Sequence, residues 1–194
     1  MKWQWSNVNG ISPSGYRCGF CDERVAADRG YFAEELLGKG NRRYIQICPN
    51  CDSPTYVTEY GLHIPSPKPG NSVDHVPKEV YDLYNEARSC VGIGAYTASV
   101  LASRKLLMNI AVSQGAPAGQ SFIAYVQHLA DSGFVPPNGK GWVDHIRKKG
   151  NEATHEILPM SEADAKELVS FSEMLLKFIF EFPNRVPSDP VPSS

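Results

Sequence analysis

Two pairs of cysteines, Cys18-Gly-Phe-Cys21 and Cys48-Pro-Asn-Cys51, constrain the first third of this chain more than any other feature. Together they supply four thiolates, the number that a tetrahedral zinc ion requires. Two intervening residues let both sulfurs of a pair point to one side of a short turn, and Pro49 stiffens the second turn. The 26 residues between the pairs exceed the spacing of about 15–20 common in zinc ribbons, so a hairpin or small insertion must fill the gap. The competing interpretations are two disulfides or four unrelated buried thiols. Paired Cys-x-x-Cys motifs without a secretion signal make a poor disulfide framework. A closed set of four cysteines leaves no open position for a substrate. One structural zinc per chain, held by Cys18, Cys21, Cys48 and Cys51, is the expectation.

At 194 residues the chain is long for one domain and short for two, which suits a small metal module joined to a helical domain. A net charge of −2 excludes a globally basic nucleic-acid binder and leaves room for local patches. Met1-Lys2-Trp3-Gln4-Trp5 lacks the apolar run of a secretory signal. No apolar stretch reaches the ~18–20 residues of a membrane span, and the richest, Met174 to Phe182, carries Lys177 and Glu181. A cytoplasmic protein without membrane contact is expected, in a compartment that keeps thiols reduced. The odd cysteine, Cys90, sits in an apolar helical pattern and reads as a core thiol.

Residues 1–60 read as the zinc ribbon. The apolar runs Tyr31–Leu37 and Tyr44–Ile47 flank Gly38-Lys39-Gly40-Asn41, a hairpin signal, and Thr55–Tyr60 reads as a further strand. Trp3 and Trp5 suit contact with the ribbon or with the next domain. Residues 61–77, with Pro65, Pro67, Pro69 and Pro77, read as a linker. Beyond it the hydrophobic period lengthens from two to about 3.6. Helices are expected over Lys78–Val91, Ala95–Ser113, Gln120–Ser132 and Trp142 to about Leu158, with a last one opened by Ser161 and Asp164 in a capping box. The fold class is therefore mainly α: a small β zinc ribbon followed, over 78–182, by an antiparallel bundle of four to five helices. Residues 183–194, rich in Pro and Ser, are expected to be disordered.

Two places carry candidate chemistry. Arg104 interrupts the apolar stripe of the second helix, where it either snorkels at the bundle edge or meets a carboxylate, carbonyl or ligand phosphate. Between Lys140 and Lys149 four basic residues stand against one acid. If that helix is continuous, Arg147, Asn151 and His155 recur every four residues on one face. A guanidinium to hold an anion and an imidazole to move a proton would suit a phosphodiester. Alternatively, Lys148 and Lys149 end one helix at Gly150, and Asn151 caps another, so that the three need not converge.

The Cys-x-x-Cys pairs, the proline-rich linker, Arg104 and the segment Ile146-Arg147…Gly150-Asn151…His155 followed by Ser161 resemble a bacterial family. It is one of the domain-of-unknown-function families, with a zinc ribbon before a HEPN-like (higher eukaryotes and prokaryotes nucleotide-binding) helical domain. The resemblance spans residues 15–182. It implies a helical bundle, a homodimer, and a place in prokaryotic defence or toxin systems, where many such domains are metal-independent ribonucleases. Their motif pairs an arginine with a histidine a few residues later; here seven residues separate Arg147 from His155, a longer gap. Three functions follow as expectations. The first is binding of RNA, another nucleic acid or a partner protein through Arg42, Arg43, Arg104, Lys148 and Lys149. The second is metal-independent RNA cleavage by Arg147, Asn151 and His155. The third is a non-catalytic assembly module.

Overall fold

The computed structural model describes residues 4–36, 40–136, 139–155 and 159–185, the side chains of 140 and 150–155 excepted. The chain divides into two compact units, Met1–Lys68 and Pro69–Ser194.

The first unit is a five-stranded antiparallel meander in chain order: β1 (Asn9–Arg17), β2 (Arg24–Glu34), β3 (Arg42–Ile47), β4 (Pro54–Val57) and β5 (His63–Ile64). The expected hairpin forms with Tyr31 opposite Ile45 and Phe32 opposite Tyr44, and β4 realises the strand expected after the second cysteine pair, ending at Val57 rather than Tyr60. The sheet exceeds the expected ribbon by β1 and by β5, which falls inside the expected linker. A meander alternates the ends at which its turns lie. The β1–β2 and β3–β4 turns therefore share one end of the sheet, and these turns carry the two cysteine pairs. Few side chains are buried here, chiefly Ala27, Gln46, Ile47, Thr55 and Val57 besides Cys18 and Cys48. A core this small is one that a crosslink or a bound metal would strengthen. Trp5 packs on this sheet, its ring 6.4 Å from that of Tyr31 in an edge contact; Trp3 lies outside the described residues.

The second unit is helical: α1 (Lys78–Gly92), α2 (Tyr96–Ser113), α3 (Phe122–Asp131), α4 (Lys140–His155) and α5 (Glu162–Leu176), which continues through a π-helical turn (Lys177–Glu181) into α6 (Phe182–Arg185). α2 packs against α1, α3, α4 and α5, and its Leu106, Leu107 and Ile110 are fully buried. Ser121 caps α3 by accepting a hydrogen bond from the Ala124 N–H at 3.2 Å. The capping box at the start of α5 closes in both directions: Ser161 Oγ accepts from the Asp164 N–H, and Asp164 Oδ2 accepts from the Ser161 N–H. The π turn accompanies an inward Glu181, 4% exposed, which accepts from the Asp74 N–H at 3.2 Å.

Two expectations change, and one open alternative is decided. The stretch 69–76 is fastened to the helices rather than left as free linker: Val73 is buried, Asn71 binds Glu173, and Arg88 holds the carbonyls of Pro69 and Gly70. Residues 183–185, expected as disordered tail, complete α6, while 186–194 lie outside the described residues. The break considered at Gly150 is absent. The backbone stays helical from Lys140 to His155, because a single glycine costs a helix only about 1 kcal/mol and no proline lies within these residues to break it. The remainder of the helix expected to Leu158 lies outside the described residues.

Candidate metal centre and the basic helix face

Each cysteine pair folds into the same tight knuckle. In the first, the Asp22 N–H donates to Cys18 O at 2.9 Å and the Cys18 N–H to Glu23 O at 2.9 Å. In the second, the Asp52 N–H donates to Cys48 O at 2.9 Å and the Cys48 N–H to Ser53 O at 3.0 Å. Both turns close on an aspartate with positive φ, 69° at Asp22 and 58° at Asp52, a conformation that Asp tolerates better than most residues. The repetition has a sequence signature, Cys-x-x-Cys-Asp in both places. An arginine pins each aspartate. Arg17 Nε lies 2.9 Å from Asp22 Oδ1, and Arg29 Nη2 lies 2.6 Å from Asp52 Oδ1.

This geometry brings all four cysteine sulfurs within 4.8 Å of one another. Cys18 Sγ lies 3.9 Å from Cys51 Sγ, and Cys21 Sγ lies 3.8 Å from Cys48 Sγ. Four thiolates around one tetrahedral ion, with metal–sulfur bonds of about 2.3 Å, stand about 3.8 Å apart. The separations fit that arrangement and exclude disulfides, whose sulfurs approach to about 2.05 Å; all four cysteines are free thiols. The four residues could hold a metal ion. Without one the thiols differ sharply: burial pushes Cys18 up to about 12. Cys51 is pulled down to about 7: burial opposes the shift, but hydrogen bonds from the Ser53 side chain and backbone outweigh it. A bound cation would overturn this order, since a coordinating thiol ionises outright.

The residues picked out on the helices divide into three groups. α4 aligns Arg147, Asn151 and His155 by register on one face, since the helix is unbroken; the side chains of Asn151 and His155 are outside the described part. Arg147 Nη1 donates to Gln127 Oε1 and to Asp144 Oδ1, both at 3.2 Å. Its Nε is buried with no partner among the described residues. Of the neighbouring cations, Lys149 pairs with Asp164 at 3.2 Å, and Lys148 is exposed. His145, one turn earlier, pairs with Glu167 at 2.8 Å.

Arg104 neither snorkels freely nor, among the described residues, finds a carboxylate. It is half-buried, its guanidinium carbon lies 4.5 Å from the centre of the Phe122 ring, and its Nη1 is buried without a partner among the described residues. Burial accordingly lowers its pKa. Arg42 and Arg43 stand on β3 and pair with Glu34 and Glu59, the latter at 2.7 Å. The most deeply buried cation among the described residues was missed from the sequence. Arg88 is 1% exposed and donates to Pro69 O at 2.8 Å, Gly70 O at 2.9 Å and Asn85 Oδ1 at 3.0 Å. It lies four residues after Tyr84 on the α1 stripe, so the rule that singled out Arg104 would have found it too.

Four clustered cysteines that could hold a metal ion, at one end of a β-meander, followed by a helical unit, define a two-part protein. The chain belongs to the family described as Domain of unknown function (DUF4145), whose family model matches residues 85–189. No curated protein and no solved structure matches the chain. Among the described residues no helix is long and apolar enough to cross a membrane.

Proposed function

We propose that this is an RNA-binding protein, built of a structural zinc ribbon and a HEPN-like antiparallel helical bundle, that grips phosphate along α4. The observation that carries the reading is the register of α4, on which Arg147, Asn151 and His155 follow one another at four-residue intervals. Arg147 supports it further. The Arg147–Asp144 pair is partly exposed, 30% and 58% at the two side chains, and such a pair contributes under about 1 kcal/mol. A phosphate, which takes a guanidinium through two parallel hydrogen bonds, competes well with that carboxylate. Gln127, on the neighbouring α3, holds the guanidinium in place without neutralising it. A homodimer would bring two such faces together by symmetry and make one cleft from two modest patches. Zinc is the metal that a closed set of four thiolates in a small β module takes as a structural ion.

Titration of a labelled single-stranded RNA tests the binding. Wild-type protein should bind with an affinity that falls as salt rises, and Arg147→Ala should weaken it about tenfold or more. Absence of RNA binding by the intact dimer would refute the proposal. If the RNA is also cut, and His155→Ala stops the cutting while leaving binding intact, the face acts catalytically. Arg147 would then stabilise charge on the phosphorane and His155 would carry the proton. Elemental analysis should find one zinc per chain, lost in Cys48→Ser.

A further inference from the structure

We propose that Trp5 and Arg29 are positioning residues that keep the second knuckle closed and so govern how long the metal stays bound; the proposal rests on the metal reading of the four cysteines. The two knuckles share a fold but are secured differently. The first is held by its own hairpin and by the segment that follows β5. Arg17, the residue before Cys18, reaches Asp22, and the Lys68 Nζ donates to Phe20 O at 3.1 Å. Gly19 lies so close to this segment that a Cβ would come within 2.7 Å of the carbonyl oxygens of both Pro65 and Ser66.

The second knuckle is held by residues distant in sequence, and both converge on Asp52. The indole N–H of Trp5 donates to Asp52 O at 2.9 Å, and Arg29 takes the Asp52 carboxylate at 2.6 Å. Asp52 follows Cys51 directly, so its backbone orientation sets that of the cysteine. Its φ of 58° is a left-handed conformation, which a non-glycine residue keeps only where its surroundings hold it there. Cys51 is partly exposed whereas Cys48 is buried, so this sulfur is the one of its pair that can swing away from an ion. Trp5 is itself anchored at a second point. Its ring lies edge-on to Tyr31, and the Tyr31 hydroxyl donates to Ser6 O at 2.5 Å. The segment before β1 thus closes over the β3–β4 turn as a strap.

Outer contacts of this kind change metal affinity by about 10–100-fold when removed. The full-length protein is loaded with Zn2+ alone and mixed with an excess of a chromophoric chelator. Trp5→Phe, which keeps the ring and removes the N–H, and Arg29→Met should each release zinc about tenfold faster than wild type. Arg29→Lys should recover most of the lost retention, a rescue that loss of bulk stability would not produce. The cobalt-loaded variants should keep the thiolate-to-cobalt absorption of wild type, because all four ligands remain. If wild-type protein holds no metal, the metal reading itself fails. If wild type holds zinc and both Trp5→Phe and Arg29→Met release it at the wild-type rate, the strap is refuted while the metal site stands. Should Trp5→Phe misfold, Arg29→Met against Arg29→Lys decides alone.

Discussion

Arg88 and Arg104 are both arginines on apolar helix stripes, and their replacement by methionine should have very unequal outcomes. Methionine retains most of the volume of the arginine stem, so the difference isolates the guanidinium. At Arg88 that group is 1% exposed and donates to two backbone carbonyls and an amide oxygen. Arg88→Met leaves these three acceptors without that donor in a closed site. At about 1–2 kcal/mol for each, the loss is about 3–6 kcal/mol, close to the range of about 3–5 kcal/mol seen when one partner of a buried charged network is removed. Arg104 differs because its buried Nη1 has no partner among the described residues. Arg104→Met gives up a cation–π contact of about 0.5–1 kcal/mol and relieves a desolvated donor, so the net change should stay under about 1 kcal/mol. Urea unfolding followed by far-ultraviolet circular dichroism reports the helices. With a slope of about 2 kcal/mol per molar, Arg88→Met should lower the midpoint by about 2 M and Arg104→Met by less than about 0.5 M. An Arg88→Met midpoint within 0.5 M of wild type, on the order of the Arg104 effect, would show that the 69–71 segment is not held by this side chain.

Two further substitutions probe the same logic. Gly19→Ala should destabilise the sheet unit by about 1–3 kcal/mol and speed metal loss, since its Cβ meets two backbone oxygens at 2.7 Å; Gly15→Ala, with nothing within 4 Å, should be tolerated, and thermal melts of the two should differ accordingly. Glu173 is partly buried, which opposes ionisation, but hydrogen bonds from Lys177 and Asn71 prevail and lower its pKa from 4.5. Its folded value therefore lies below its unfolded one, so its contribution is complete above about pH 4.5 and is lost as pH falls through the folded value. The gap in melting temperature between wild type and Glu173→Gln should narrow below pH 4.5; a gap that stays constant down to strongly acid pH would count against the ionic contact.

What could be read in advance followed from how local the physical cause was. A metal set by four thiolates writes itself into short motifs, so Cys18, Cys21, Cys48 and Cys51 were legible and converge. Helix ends governed by one side chain, such as Ser161 with Asp164, were legible for the same reason. β1 was not. Its sequence, Asn-Gly-Ile-Ser-Pro-Ser-Gly-Tyr-Arg, carries the marks of a loop. It is a strand because it lies at the sheet edge, where Pro13 need not donate inward and a register shift between Gly10 and Ser14 absorbs the misfit. β5 was hidden likewise among the linker prolines, since two residues are too few to show a period.

The status of Gly150 bears directly on the proposed phosphate-binding face of α4. In isolation, Lys-Lys-Gly-Asn is a good helix terminus, because glycine reaches the left-handed conformation freely and asparagine caps the next turn. In the fold the same four residues stay helical, because the part of α4 that leads up to Gly150 is held by its neighbours. Val143 and Ile146 are buried before it, and Lys149 is tied to Asp164 in the first turn of α5. Contacts made by the rest of the helix thus outweigh the local preference of one glycine, which is worth only about 1 kcal/mol. The consequence is positional. With a break, the asparagine side chain would turn back to cap its own backbone. Without one, Asn151 follows Arg147 by a single turn and His155 follows Asn151 by another, which is the register that the proposed phosphate-binding face requires.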